Sequence, residues 1–196
     1  MTITFPSIRL PSSVDWKLQG NTRTFRSPLD ASVQTLEMSG LAWVGSVSWG
    51  TLAATEFRLL QTFLARLHGA SGRFYFGPPQ GYSPRGTASG VVKVNGASQT
   101  GTSLAVKDLT GTLLTGDFIS FDTTAGRELH IVTADRNGAG TLAIDPPIRV
   151  SPADNAVVTY VGATCVMGLA SDEEGFISYR QGPFGSVTLA VVERFT

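Results

Sequence analysis

The chain has 196 residues, of which 42% are hydrophobic and only 15% charged, against about 25% charged in ordinary globular domains. That length holds one large domain or two small ones, and fifteen Lys and Arg balance fifteen Asp and Glu, so no net charge draws the chain to nucleic acid or an anionic membrane. The single Cys165 excludes an internal disulfide framework and a multi-cysteine zinc site, and the two histidines, His68 and His130, leave little room for a histidine-rich metal centre.

The opening "MTITFPSIRLPSS" lacks the apolar run of a signal peptide. No stretch approaches the roughly 20 apolar residues that span a bilayer. The expectation is a soluble protein made in a cytoplasm, with no membrane partner. The first thirty residues carry Arg9, Lys17, Arg23 and Arg26 against Asp15 and Asp30. "SVQTLEMSG" then alternates weakly, and "AWVGSVSWG" places Trp43, Val47 and Trp49 on one face with Ser46 and Ser48 on the other. That period of two marks a half-buried strand.

One segment breaks the β rhythm. In "TLAATEFRLLQTFLARLHGASG", Phe57, Leu60, Leu64 and Leu67 recur at three- and four-residue steps, the stripe of a helix lying on a sheet, here over about residues 52–68. Thr51 is the expected N-cap and Gly69 the C′ residue, with Arg66 and His68 in the last turn. Ala54 stands three residues after Thr51, so no capping box is expected.

"RFYF" reads as a strand with Phe74 and Phe76 inward. "GPPQGYSPRGTASG" follows, and its prolines and glycines forbid regular structure. Beyond it lie short strand-like runs, "VVKVNGASQTGTSL", "GDFISFDT", "RELHIVTAD", "TLAIDPP" and "NAVVTYV". Turn residues separate them, which suits a small barrel of about five or six strands. "SVTLAVVERF" near the end is too apolar for the edge of a tiny domain. The expected class is mainly β: a β-sandwich with one packed helix, built from residues 1–84 and 161–196, and an inserted small β-barrel of OB-like type at 85–160.

Reactive constellations are scarce. "TADRNGAG" lacks the oxygen ligands and closing Glu of a calcium loop and reads as a turn. Cys165 sits in apolar "ATCVMG", where burial leaves a thiol inert. His130 in "ELHIVT" should lie on the exposed strand face opposite Leu129 and Ile131. Asp172, Glu173 and Glu174 are adjacent and cannot flank a sugar ring. No nucleophile elbow, phosphate loop or dinucleotide fingerprint occurs. Neither catalytic residues nor a cofactor or metal is expected. The candidate partner contacts are Arg26, Tyr82 and Arg85 (the last two in the proline-rich stretch) and Phe118.

The order of signals resembles the distal tail proteins, and related minor tail proteins, of long-tailed bacteriophages. The likeness covers about residues 25–160 and is carried by "SPLDASVQTLEMSGLAWVGSVSWGTL", "EFRLLQTFLARLHGASGRFYFGPP", "SPRGTASGVVKVNGASQTGTSL", "GDFISF" and "AIDPPIR". It implies a structural protein of the virion, six copies of which close into a ring at the tail tip. The ring would join the tail tube to the baseplate hub beside the tape measure and hold receptor-binding or fibre proteins, with DNA only passing through its channel. The alternative is a module whose inserted barrel binds host carbohydrate through Tyr82, Phe118 or Phe121.

Overall fold

The alternation around Trp43 marks a strand of the largest of four sheets. The structure, a computed structural model, describes residues 2–79, 83–175, 177–179 and 185–195. It is mainly β, 49% strand against 10% helical.

The first half supplies β1 (Thr2–Thr4), β2 (Ser13–Gln19), β3 (Thr22–Arg26), β4 (Val33–Glu37), β5 (Ala42–Leu52), α1 (Ala54–Leu67) and β6 (Arg73–Phe76). Shorter strands follow: β7 (Lys93–Val94), β8 (Gly101–Lys107), β9 (Thr112–Leu113), β10 (Phe118–Thr123), β11 (Gly126–Val132), β12 (Arg136–Asn137), β13 (Gly140–Ile148) and β14 (Val158–Thr159). The chain ends with β15 (Cys165–Leu169), β16 (Ile177–Tyr179) and β17 (Gly185–Glu193).

Seven strands from the two ends form one sheet, in the order β1–β6–β15–β17–β5–β2 with β16 also on β17. The pairs are antiparallel except β1 with β6. β17 is central, as its apolar run demands. Trp43, Val47 and Trp49 are buried together with Leu52, Phe74, Cys165, Met167 and Leu189. α1 closes this core with Phe57, Leu60, Phe63 and Leu67, and Leu64 packs at its margin. Each such side chain contributes about 1.5–3 kcal/mol by leaving water. Gly185 lets the helix come close, since a Cβ there would meet Phe57 Cε2 at 2.3 Å.

The helix start differs from the expected Thr51. β5 runs on to Leu52, whose side chain is fully buried, so the chain is free to turn only at Ala53, the observed N-cap. Glu56 Oε2 then accepts the Ala53 N–H at 3.2 Å, the half of a capping box that an alanine cap permits. At the other end His68 is itself the left-handed C-cap, with φ 54°, ahead of Gly69.

The middle strands form a six-stranded sheet, β14–β10–β11–β13–β8–β7. Val94 N–H donates to Ala156 O and Val158 N–H to Val92 O, both at 2.9 Å, so β7 comes back to β14 and the sheet curls into a nearly closed barrel. Val92, Leu104, Ile119, Phe121, Leu142 and Ile144 fill it.

His130 is not exposed, as its alternation had suggested, but fully buried. Both faces of β11 are covered: Leu129 and Ile131 pack on the larger core, while His130 stacks on Phe121 with ring centroids 4.9 Å apart. Pro146 O lies 2.7 Å from His130 Nδ1, so that nitrogen carries the proton. Strand periodicity gives the face a residue takes, and the neighbouring sheet decides whether that face sees water.

Candidate functional site

Among the described residues, the hairpin of β3 and β4 stands out as uncovered. β2 and β5 pair up to Gln19 opposite Ala42, and the ribbon resumes with Thr22 opposite Glu37. Two residues on one side of this break (20 and 21) face four on the other (38 to 41), which forms a bulge. It is tied by Met38 N–H to Asn21 O and by Asn21 Nδ2 to Ser39 O, both 2.8 Å. Bulges of this kind re-aim a strand pair.

Beyond the bulge all ten strand residues, five in each strand, are exposed. Five residues make a paired arm about 17 Å long at ~3.3 Å per residue. One face carries Arg23 opposite Leu36 and Phe25 opposite Gln34, the other Thr24 opposite Thr35 and Arg26 opposite Val33. Phe25 is 66% exposed, Val33 58%, Leu36 59% and Leu29, in the tip, 96%. An isolated two-stranded hairpin is marginal in water, and this one presents apolar side chains on both faces and at its end.

The tip is nevertheless ordered by its own polar groups. Asp30 Oδ1 accepts the Ser32 N–H at 3.1 Å and the Ser32 hydroxyl at 2.9 Å, and Ser27 Oγ accepts the Leu29 N–H at 3.3 Å. Hydrogen bonds from the Ser27 and Ser32 hydroxyls and the Ser32 N–H draw the Asp30 carboxyl down to about 2.

A second uncovered surface lies on the larger sheet, on the face away from α1. Lys17, Val44 and Val192 form one cross-strand row, Asp15, Ser46 and Ala190 the next. Their small side chains leave a trough of about 940 Å³. Arg194 lines it; its Nη2 donates to Leu169 O at 3.0 Å, while its buried Nε has no acceptor. Asp15, Lys17, Arg23, Arg26 and Glu37 form no ion pair among the described residues.

Of the described candidate contacts, Arg85 and Phe118 line one cavity with Trp16 and Asp117, and Arg26 lies apart from them on the arm. Arg26 sits on the arm beside Val33. Tyr82 lies outside the described residues. Arg85 donates its backbone N–H to buried Asp117 at 2.9 Å and its guanidinium to Thr115 O, which fixes the entry to the barrel. Phe118 meets Trp43 edge-on at 5.6 Å, within its own chain. Phe121, the other aromatic suggested for a sugar, is buried inside the barrel.

Cys165 and the acidic run are engaged structurally. Cys165 is fully buried, and burial pushes its thiol well up. Native protein should therefore resist a thiol reagent such as DTNB until denatured; rapid one-equivalent labelling of the folded chain would contradict this burial. Asp172 accepts Ala70 N–H at 2.8 Å and Glu174 accepts Ala190 N–H at 2.9 Å, so two members of the acidic run fasten backbone. Among the described residues no three His, Cys, Asp or Glu side chains converge to hold a metal, and no helix is long and apolar enough to cross a membrane.

Sequence reasoning missed the arm and the join between the two cores. Arg149 pairs Nη1 and Nη2 with Glu193 at 3.0 Å, donates to Leu41 O at 2.8 Å and lies 3.7 Å over the Phe195 ring. Trp43 Nε1 donates to Leu129 O at 2.8 Å. No protein-family model matches the chain, and no curated protein matches it.

Proposed function

We propose that this chain is a non-catalytic structural subunit that closes into a homo-oligomeric ring of the kind its sequence resembles, six-fold at the tip of a phage tail. In that role it joins the tail tube to the hub and tape measure and carries receptor-binding or fibre proteins, after assembly in the bacterial cytoplasm. The observation that carries the reading is the arm of β3 and β4: Phe25, Leu29, Val33 and Leu36 are exposed on a ribbon that no other described part of the chain covers. Apolar surface held out on an ordered extension is supported only where a partner buries it. A ring subunit needs two unlike surfaces that meet head to tail after a fixed rotation, and the arm and the open sheet face are two such surfaces. The low charge and positive mean hydropathy of +0.11 suit a chain whose surface is largely covered by neighbours.

Purified protein should give closed rings by negative-stain microscopy and a matching mass by light scattering, alone or with its tail partners. The triple variant Phe25→Ser, Leu29→Ser, Leu36→Ser should keep its fold and lose the ring. A wild-type chain that stays monomeric even with tail tube and hub proteins would overturn the reading. So would tight, saccharide-specific binding by a chain that forms no ring.

A further inference from the structure

We infer that the arm of one copy seats in the trough on the open sheet face of the next, with the Arg23–Phe25–Leu36 face turned inward. The inference rests on the ring reading above and adds where the contact lies. The trough is built from the rows Lys17–Val44–Val192 and Asp15–Ser46–Ala190, so its middle is small, Val44, Ser46, Ala190 and Val192, with Lys17 and Asp15 along one side. The arm's inward face carries two large apolar groups, Phe25 and Leu36, diagonal to one another. Large side chains on a narrow ribbon and small ones across a shallow floor are complementary in shape, which is what close packing at an interface centre needs.

The charges also match. The trough's carboxylate, Asp15, has no ion pair within the described residues, and neither does Arg23 on the arm face. The trough's cations are Lys17 and Arg194; Glu37, opposite Thr22, lies on the arm's outward face, so the charge match is that of Arg23 with Asp15. Complementary rim charges set register and orientation. Seating buries Phe25 and Leu36, which a contact through Leu29 alone would leave wet. The contact is heterologous, each copy giving one arm to the next copy and receiving one from the copy before, so it propagates and, at the rotation the ring reading requires, closes a ring.

The test pairs cysteines across the contact in the full chain, where Cys165 is buried and silent. Phe25→Cys combined with Ser46→Cys or Ala190→Cys should yield, on oxidation, a ladder of disulfide-linked multimers ending at the ring. Either single variant should give no ladder. Asp15→Arg and Arg23→Asp should each raise the concentration at which rings dissociate by at least about tenfold, and the two together should restore it, a rescue that a merely structural role would not produce. Rings that form normally but show neither crosslink nor rescue overturn the seat and leave the ring reading standing. A chain that forms no ring overturns both.

Discussion

Replacing Glu193 with alanine should lower the unfolding free energy by about 3–5 kcal/mol, the usual effect of removing one partner from a buried ion pair. Glu193 is buried and its two oxygens receive Nη1 and Nη2 of Arg149, while Oε2 also accepts the Trp43 N–H at 3.0 Å. The alanine variant leaves a partly buried cation and a buried N–H without acceptors. For a chain of this size each kcal/mol moves Tm by roughly 2–4 °C, so a fall of roughly 6–20 °C is expected by calorimetry. Arg149→Met should do less harm in the Glu193→Leu background than alone, because an apolar pair replaces two charges that would each be stranded separately. Glu193 closes the larger sheet and Arg149 follows the barrel's β13, so the variant should also split one melting transition into two. A loss under about 1 kcal/mol would mean that solvent screens the pair as it does a surface bridge.

Glu128→Leu should cost about 2–6 kcal/mol at neutral pH, from two backbone donors left unsatisfied at ~1–3 kcal/mol each. Its Oε1 accepts Val150 N–H at 2.9 Å and its Oε2 accepts Arg149 N–H at 3.1 Å, with His130 Nε2 at 3.4 Å. Burial alone would push this carboxyl up; the neighbouring His130 ring and the hydrogen bonds from the Arg149 and Val150 amides outweigh it and hold the group below its ordinary value. A depressed carboxylate contributes stability that is fully present above the unfolded pKa, about 4.3 for Glu. That contribution is lost as pH falls through the lower folded value. Urea titrations from pH 7 to 3 should therefore show wild type losing stability faster than Glu128→Leu in the acid range. Parallel acid slopes for the two proteins would remove Glu128 from the account.

The fold was largely legible because its signals are local. Trp43, Val47 and Trp49 share a face by alternation alone, Phe57, Leu60 and Leu67 share one by helical spacing, and turn residues at short intervals count out the barrel strands. Cys165 was legible for the same reason, its neighbours being apolar. The arm was not. Phe25 and Leu36 share a face and look like the inward residues of any half-buried hairpin, and only the absence of a covering layer among the described residues, a property of the whole fold, sets them apart. The clue available was the pair of five-residue runs flanking "SPLDAS", too short and too threonine-rich on one face to hold a core. Arg26 was singled out and does stand on the arm, but for its charge and not for the ribbon beneath it. The Arg149–Glu193 pair had no local trace at all, its partners being 44 residues apart. His130 failed differently: period two was right, and the assumption that one face of β11 meets water was wrong.

The way β10 and β11 serve two interiors at once limits how the barrel can be exchanged. Phe118, Leu129 and Ile131 belong by chain to the insert and by packing to the host. Excising residues 88–158 removes a lid together with a module, and bares the Trp43 indole whose N–H is held by Leu129 O. A chimera that grafts a foreign barrel here must bring three greasy residues and one carbonyl to the same spots. Grafts without them should light up the dye ANS at once, whereas grafts with them should stay dark.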